Sequence, residues 1–182
     1  MKYDNGIKNP MLVGMIELMK ADDTPEHREM FVQEMLKSTF ISPVEITPPP
    51  VTDENGVRKI VAGSQVSFPL IHSKEGKKYF MAFTDVEELK LYRDEDNPNV
   101  FALKFEDYVS MLLREDDAGR MSEALGVVIN PMTSNIILVK DVIANIMMAK
   151  LAKEQGIDPV QYKRDQRFLQ EMDEKMQAAD EE

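Results

Sequence analysis

Apolar side chains recur every three or four residues near the start of the chain, and this spacing predicts two helices. The first helix carries Met11, Met15 and Met19 at successive four-residue steps, so their side chains share one face. Thr24 offers a hydroxyl cap, and Pro25 fits the first helical position, where its missing amide hydrogen costs nothing. A second helix is therefore predicted from Pro25 to about residue 37.

Strand-forming residues dominate the next stretch, where β-branched and aromatic side chains lie between turn-forming residues. The predicted segments are residues 39–46, 51–62, 65–71 and 78–83. The second segment holds an Asp-Glu-Asn-Gly turn signal and is interpreted as a mobile or hairpin insertion. The third and fourth alternate apolar and polar residues across a Ser-Lys-Glu-Gly turn, with Tyr79 and Phe83 on one face, which predicts another hairpin.

Helices and strands alternate through the following residues. Thr84 and Glu87 have the spacing of a capping box, so a helix is predicted to begin at Thr84. A strand over residues 100–105 leads into a helix from Glu106. Residues 126–139 contain two apolar runs around a Pro-Met-Thr-Ser turn, which predicts a hairpin with both strands largely buried.

Two helices are predicted at the end of the chain. Asp141 is a candidate cap for the first, and Gly156 closes it. The second has a thinner apolar stripe that includes Phe168, Met172 and Met176. The elements together predict an α+β or α/β fold, with a mixed, mostly antiparallel sheet flanked by helices in a single domain over residues 1–156. Residues 157–182 are predicted to form a helical extension with an acidic tail.

Composition removes several classes of function. The chain has 182 residues, a net charge of −11, no cysteine and two histidines, which leaves no basis for thiol chemistry or a zinc knuckle. No run approaches the roughly 18 apolar residues of a membrane span, and no secretion signal is recognisable at the N-terminus. The negative charge repels phosphate backbones and anionic lipid. We therefore expect a cytoplasmic protein with no cofactor, no nucleic-acid partner and no membrane partner.

The negative charge is unevenly distributed. Residues 57–83 carry five basic groups and one acidic group, whereas residues 84–123 carry twelve acidic groups and five basic ones. Two patches of opposite sign favour a charge-complementary contact with a protein partner or a second copy. The candidate partner surface comprises Lys74, Lys77, Lys78, Asp94, Asp96, Asp116, Asp117, Phe168, Met172 and Met176.

Three runs carry a family resemblance through their order and spacing: FPLIHSKEGKKYFMAFTDVEELKLY, FALKFEDYVSMLL and GVVINPMTSNIILV. Phe83 and Thr84 join a predicted hairpin to a helix, FEDY combines aromatic and acidic residues, and Asn130 and Pro131 lie at a hairpin turn. The runs resemble the N-terminal domain of the SseB family of bacterial proteins, named for enhanced serine sensitivity, over roughly residues 7–148. The resemblance implies a mixed α/β domain in the bacterial cytoplasm and brings no catalytic residues.

Two hypotheses about function follow. The first is a non-enzymatic protein-interaction or regulatory module, because the sequence contains no recognisable nucleophile, metal or phosphate constellation and its last helix lacks an obvious contact. The second is a sensor of an amino acid or another carboxylate, with serine as the first ligand to test. Its candidate pocket comprises Tyr79, Phe83, Thr84 and Asn130, where strand ends meet a helix N-terminus that favours anions.

Two further features allow alternative interpretations. Asp116 and Asp117 could pair as acid and base in a hydrolytic enzyme, but consecutive acids at a helix end are typical of a solvated surface. The fourteen methionines either fill an irregular core or line a groove for a partner. For the stripe of Met11, Met15 and Met19, helical spacing favours the core.

Overall fold

The computed structural model describes residues 6–54, 58–95, 98–113 and 121–158. The helices of this part of the chain are α1 (Pro10–Ala21), α2 (Pro25–Lys37), α3 (Val86–Tyr92), α4 (Phe105–Leu113) and α5 (Lys140–Glu154). Its strands are β1 (Thr39–Pro43), β2 (Glu45–Thr47), β3 (Val51–Thr52), β4 (Arg58–Lys59), β5 (Gln65–Ser67), β6 (Leu70–His72), β7 (Lys78–Ala82), β8 (Val100–Lys104), β9 (Gly126–Ile129) and β10 (Ile136–Val139).

The two N-terminal helices form as the local signals predict. Pro10 and Pro25 occupy the first turns of α1 and α2, and the Thr24 hydroxyl accepts a hydrogen bond of 3.2 Å from the His27 amide. This bond satisfies one of the amides that a helix N-terminus leaves without an intrahelical acceptor. The inner faces of the pair bury Leu12 and Ile16 on α1 and, on α2, Phe31 and Met35.

The main sheet has four strands in the order β10-β9-β7-β6, and β7 and β9 run parallel while the other pairs are antiparallel. Strands β1 and β8 form an antiparallel pair beside it. Ile41 of β1 and Phe83, just after β7, exchange two backbone hydrogen bonds of 2.9 Å, which link the pair to the sheet. The α+β fold with a mixed, mostly antiparallel arrangement confirms the prediction.

A core cluster covers the face of the main sheet that carries Tyr79, Met81 and Val128. Val86 and Leu89 of α3 pack into this cluster, because a three-residue step places both on the same side of the helix. Ile41 and Phe83 complete it. Burying side chains of this size contributes about 1.5–3 kcal/mol each to folding.

Tyr108 of α4 ties that helix to the centre of the sheet. Its side chain is completely buried, and the phenol hydroxyl donates a 3.1 Å hydrogen bond to the Met81 carbonyl. Burial raises the pKa of Tyr108 far above its ordinary value, because the phenolate would lose its hydration. The hydroxyl is therefore a structural donor.

A second, smaller ribbon of strands leaves the domain between β1 and β6, and we call residues 45–67 the arm. Strand β2 pairs with β5, placing Ile46 opposite Val66, and β3 pairs with β4, placing Val51 opposite Lys59. The predicted hairpin insertion is confirmed, with residues 55–57 of its turn outside the described part of the chain.

Several sequence predictions need correction. The single strand over residues 39–46 is divided at Val44, so that β1 pairs with β8 and β2 belongs to the arm. The single strand over residues 65–71 is divided at Phe68 and Pro69, because proline has no amide hydrogen to continue a ladder. Strand β5 therefore joins the arm, and β6 joins the main sheet.

The first turn of α3 is capped by Asp85 instead of Thr84. Helix α5 begins directly at Lys140, so Asp141 lies within its first turn. Strand β10 is not largely buried, because it is an edge strand with alternate residues exposed.

The chain divides into two compact units, residues 1–140 and residues 141–182. In the second unit, the predicted closure of α5 by Gly156 is confirmed: its φ is +69°, and the Ile157 amide donates to the Ala152 carbonyl at 2.9 Å. The predicted final helix with Phe168, Met172 and Met176 falls outside the described residues. Within the described segments, no helix has the length and apolar character needed to cross a membrane.

Candidate functional site

Thr84 and Asn130, two of the four residues of the predicted pocket, lie in direct contact. The Thr84 amide donates to Asn130 Oδ1 at 3.0 Å, and Asn130 Nδ2 donates to Thr84 Oγ1 at 2.9 Å. Both residues are almost completely buried. This reciprocal pair joins the end of β7 to the end of β9.

The turn after β9 fixes the position of the Asn130 side chain. Asn130 has a φ of +48°, which asparagine tolerates better than most residues. Its amide donates to the Ala82 carbonyl at 2.9 Å, and its carbonyl accepts from the Asn135 amide at 2.8 Å. These bonds close the turn and direct the carboxamide toward Thr84.

Two further polar side chains complete this cluster. Asn9 Nδ2 lies 2.8 Å from the Thr39 carbonyl and 2.7 Å from the Thr84 carbonyl, so it joins the start of α1 to two strands. Thr84 Oγ1 donates to Asp85 Oδ2 at 3.0 Å, and Asp85 Oδ1 accepts from the Glu88 amide at 2.9 Å. We call Asn9, Thr84, Asp85 and Asn130 the polar junction.

The polar junction directs its hydrogen-bonding groups toward one another. The Thr84 hydroxyl both donates and accepts within the cluster, so an external ligand would have to displace an internal bond. Tyr79 and Phe83, the other two residues of the predicted pocket, pack in the apolar core cluster. The pocket therefore stays a prediction, and the arrangement favours a structural role for its polar members.

Asn9 and Asp85 are the members of the junction that the sequence hypothesis did not include. Asn9 precedes Pro10 and therefore looks like a local helix cap, but its side chain makes no cap bond and instead contacts carbonyls 30 and 75 residues away. The capping-box spacing of Thr84 and Glu87 favours Thr84 as the cap, whereas the structure uses Asp85. The sequence signal that could have found Asp85 is the preference for aspartate at N-caps.

The basic residues of the β6–β7 turn are largely exposed. Lys74 and Lys77 point into solvent, whereas Lys78 forms an ion pair with Glu123. The hydrogen bond from Lys78, aided by its charge, lowers the pKa of Glu123. One group of the basic patch thus contacts the acidic segment within the same chain.

The acidic half of the predicted partner surface is described only in part. Asp94 is exposed in the loop after α3, and Asp96, Asp116 and Asp117 fall outside the described residues. Across the described ranges, no three histidine or carboxylate side chains are grouped closely enough to hold a metal ion. The charge-complementary contact stays a prediction.

The arm exposes apolar side chains that the sequence hypothesis did not single out. Val51 and Ile60 are 56% and 51% exposed, and Val61 and Val66 are exposed as well. A polar contact ties the outer strand pair of the arm to the domain: Arg58 of β4 donates to Asn99 Oδ1 at 2.6 Å. Its conformation is therefore tied to the domain while its apolar groups face water.

One comparison with known proteins decides the family. The model of the SseB protein N-terminal domain matches residues 12–145, which is most of the chain. The chain belongs to the SseB family. The match confirms the resemblance predicted from the sequence, and within the SseB domain lie the arm, the core cluster and the polar junction apart from Asn9. No curated protein and no solved structure matches the chain.

Proposed function

We propose that this SseB domain is a non-enzymatic protein-interaction or regulatory module of the bacterial cytoplasm. The observation that supports it best is the arm, where Val51, Ile60, Val61 and Val66 are exposed on one short ribbon. The partner is a different protein with an apolar contact surface.

The energetics of the arm support this proposal. Strands β2 and β5 pair over three residues each, and β3 and β4 over two, which is too little for a hairpin to be stable by its own pairing. Fully burying an isoleucine or valine side chain from water contributes about 1.5–3 kcal/mol. Val51 and Ile60 are about half exposed, so a partner that covers them gains roughly half of that for each. Solvent exposure on an anchored element is typical of an interaction surface.

The polar junction supports the non-enzymatic part of the proposal. Its hydroxyl, amide and carboxylate groups bond to one another or to backbone groups, with donor–acceptor distances of 2.7 to 3.0 Å. Groups arranged in this way stabilise the meeting of α1, β7, α3 and β9. They are not directed toward a reacting molecule.

Reciprocal affinity purification tests the proposal. The tagged chain should recover a protein that, when tagged itself, recovers the chain from the native host. The same purification without residues 157–182 shows whether the C-terminal extension contributes. If no protein is recovered in both directions, the interaction proposal is wrong.

Thermal melting with a metabolite panel, serine included, separates this proposal from the sensor hypothesis. A ligand that binds only the folded state raises the melting temperature, because it stabilises that state by an amount that grows logarithmically with ligand concentration above the dissociation constant. We expect no shift. A shift that disappears in the Asn130→Ala variant would support sensing at the junction instead.

A further inference from the structure

Helix α1 has two apolar faces, and only one of them is covered by the domain. Leu12 and Ile16 are 1% exposed, whereas Met11 and Leu18 are 61% and 42% exposed. The core position predicted for the methionine stripe is therefore wrong for Met11. Met15 lies between Met11 and Leu18 on the same face and is partly buried. A helix that is apolar around most of its circumference is normally buried on all sides. The outer face of α1 is instead exposed, although its residues are apolar.

The outer face has the spacing of a helix–helix seam. Met11, Met15 and Leu18 follow one another at steps of four and three residues, which is the heptad pattern of paired helices. Lys8 lies two residues before the helix and Asp22 is its C-cap residue, so one charged side chain lies near each end of α1, and both residues are exposed. We call these five residues the α1 seam.

The α1 seam is complementary to itself in the antiparallel direction. A two-fold axis at Met15 places Met15 against its symmetry mate and Met11 against Leu18 of the second copy. It also brings Lys8 near Asp22 of the second copy, and symmetry forms this pair twice. An isologous contact of this kind needs one surface that matches itself, and the α1 seam satisfies that condition in both apolarity and charge.

We propose that the α1 seam is a self-association surface, and that two copies of this chain pair through antiparallel α1 helices. The apolar residues supply the contact area, and the Lys8–Asp22 pairs select the antiparallel direction over the parallel one. A parallel arrangement would place Lys8 beside Lys8 and Asp22 beside Asp22, which is repulsive at both ends. The seam is separate from the arm, so this inference does not depend on the proposed partner.

Sedimentation velocity over a wide concentration range tests the proposal. The wild-type chain should change from a 20.8 kDa monomer to a dimer as its concentration rises. Met11→Glu should raise the dissociation constant at least about tenfold, because a carboxylate would be buried in the seam. A chain that stays monomeric at every concentration, or a dimer that Met11→Glu leaves unchanged, would overturn it.

A charge exchange tests the direction and keeps the proposal falsifiable if Met11→Glu fails to fold. Lys8→Glu and Asp22→Lys, both at exposed positions outside the helix, should each weaken the dimer several-fold at low salt. The double variant should restore the wild-type dissociation constant. Single variants without effect, or a double variant no stronger than the singles, contradict the antiparallel pairing. If seam variants keep the dimer but lose a different protein partner, the second copy is not the occupant.

Discussion

In the polar junction, Thr84 and Asn130 exchange hydrogen bonds of 3.0 and 2.9 Å at almost complete burial, whereas in the arm Val51 and Ile60 keep more than half of their surface in water. The junction contains the residue types associated with ligand binding, and it uses them to join four elements of the fold. The arm contains ordinary β-branched residues in a short ribbon. Residue type therefore suggests a site, but the hydrogen bonds and exposure of those residues decide whether it is open to a ligand.

The largest expected effect concerns the strand that holds the junction in place. A Cβ added at Gly126 would lie 2.0 Å from the Leu138 carbonyl oxygen, so Gly126→Ala should separate β9 from β10. We expect a loss of about 3 kcal/mol in the free energy of unfolding, at the upper end for overpacking, measured by urea denaturation.

Gly14 provides a matched control for that substitution. A Cβ added there meets nothing within 4 Å, and the residue lies inside α1. Gly14→Ala should leave the free energy of unfolding unchanged or raise it by up to about 1 kcal/mol. Equal losses for the two variants would contradict the close approach of β9 and β10.

Asn130→Ala should have the next largest effect. It removes the carboxamide that bonds Thr84 and leaves alanine at a φ of +48°. The expected loss in the free energy of unfolding is about 2 kcal/mol, since a buried amide loses its acceptor and the backbone is strained. Chemical denaturation measures it.

Asn135 separates the two contributions, because it has nearly the same φ, +50°, but is exposed. Asn135→Ala should therefore cost only the backbone strain, about 1 kcal/mol. If the two variants lose the same stability, the carboxamide of Asn130 contributes nothing and the polar junction is not a structural lock.

The smallest expected effect concerns the Lys78–Glu123 ion pair. The pKa of Glu123 is lowered in the folded chain from its ordinary value of 4.5. The ion pair therefore contributes fully to the free energy of unfolding at pH values above 4.5. The contribution is lost as the pH falls through the lowered pKa. Glu123→Gln should reduce the melting temperature slightly at neutral pH and leave it unchanged at acidic pH. A difference that is the same at both pH values would contradict the pairing.

Local signals in the sequence predicted the elements better than the site. The caps and prolines of α1 and α2 act within a few residues, so Thr24 and Pro25 set the start of α2 in the sequence and in the structure alike. Asn9 acts over 75 residues in its bond to the Thr84 carbonyl, and no local pattern carries that information. The capping-box spacing predicts that Thr84 caps α3, but Asp85 does so. The Thr84 hydroxyl instead accepts a hydrogen bond from Asn130, 46 residues away.

The exposure of the arm was equally inaccessible from the sequence. Alternating apolar residues predict a strand, and the pattern does not say whether a domain covers them. Val66 belongs to such an alternation, yet it lies on β5 in the arm and is exposed, since Pro69 separates β5 from the main sheet. Only the pairing of β5 with β2 assigns it to the arm.

The affinity of the arm for the recovered partner protein tests the central claim most directly. Val51→Ser combined with Ile60→Ser should weaken binding at least about tenfold by calorimetry, because two apolar contacts are lost. Leu91→Ser is the matched control, since Leu91 is 59% exposed on α3, outside the arm, and should bind like the wild type. Equal affinities for the arm variant and the wild type would contradict the account.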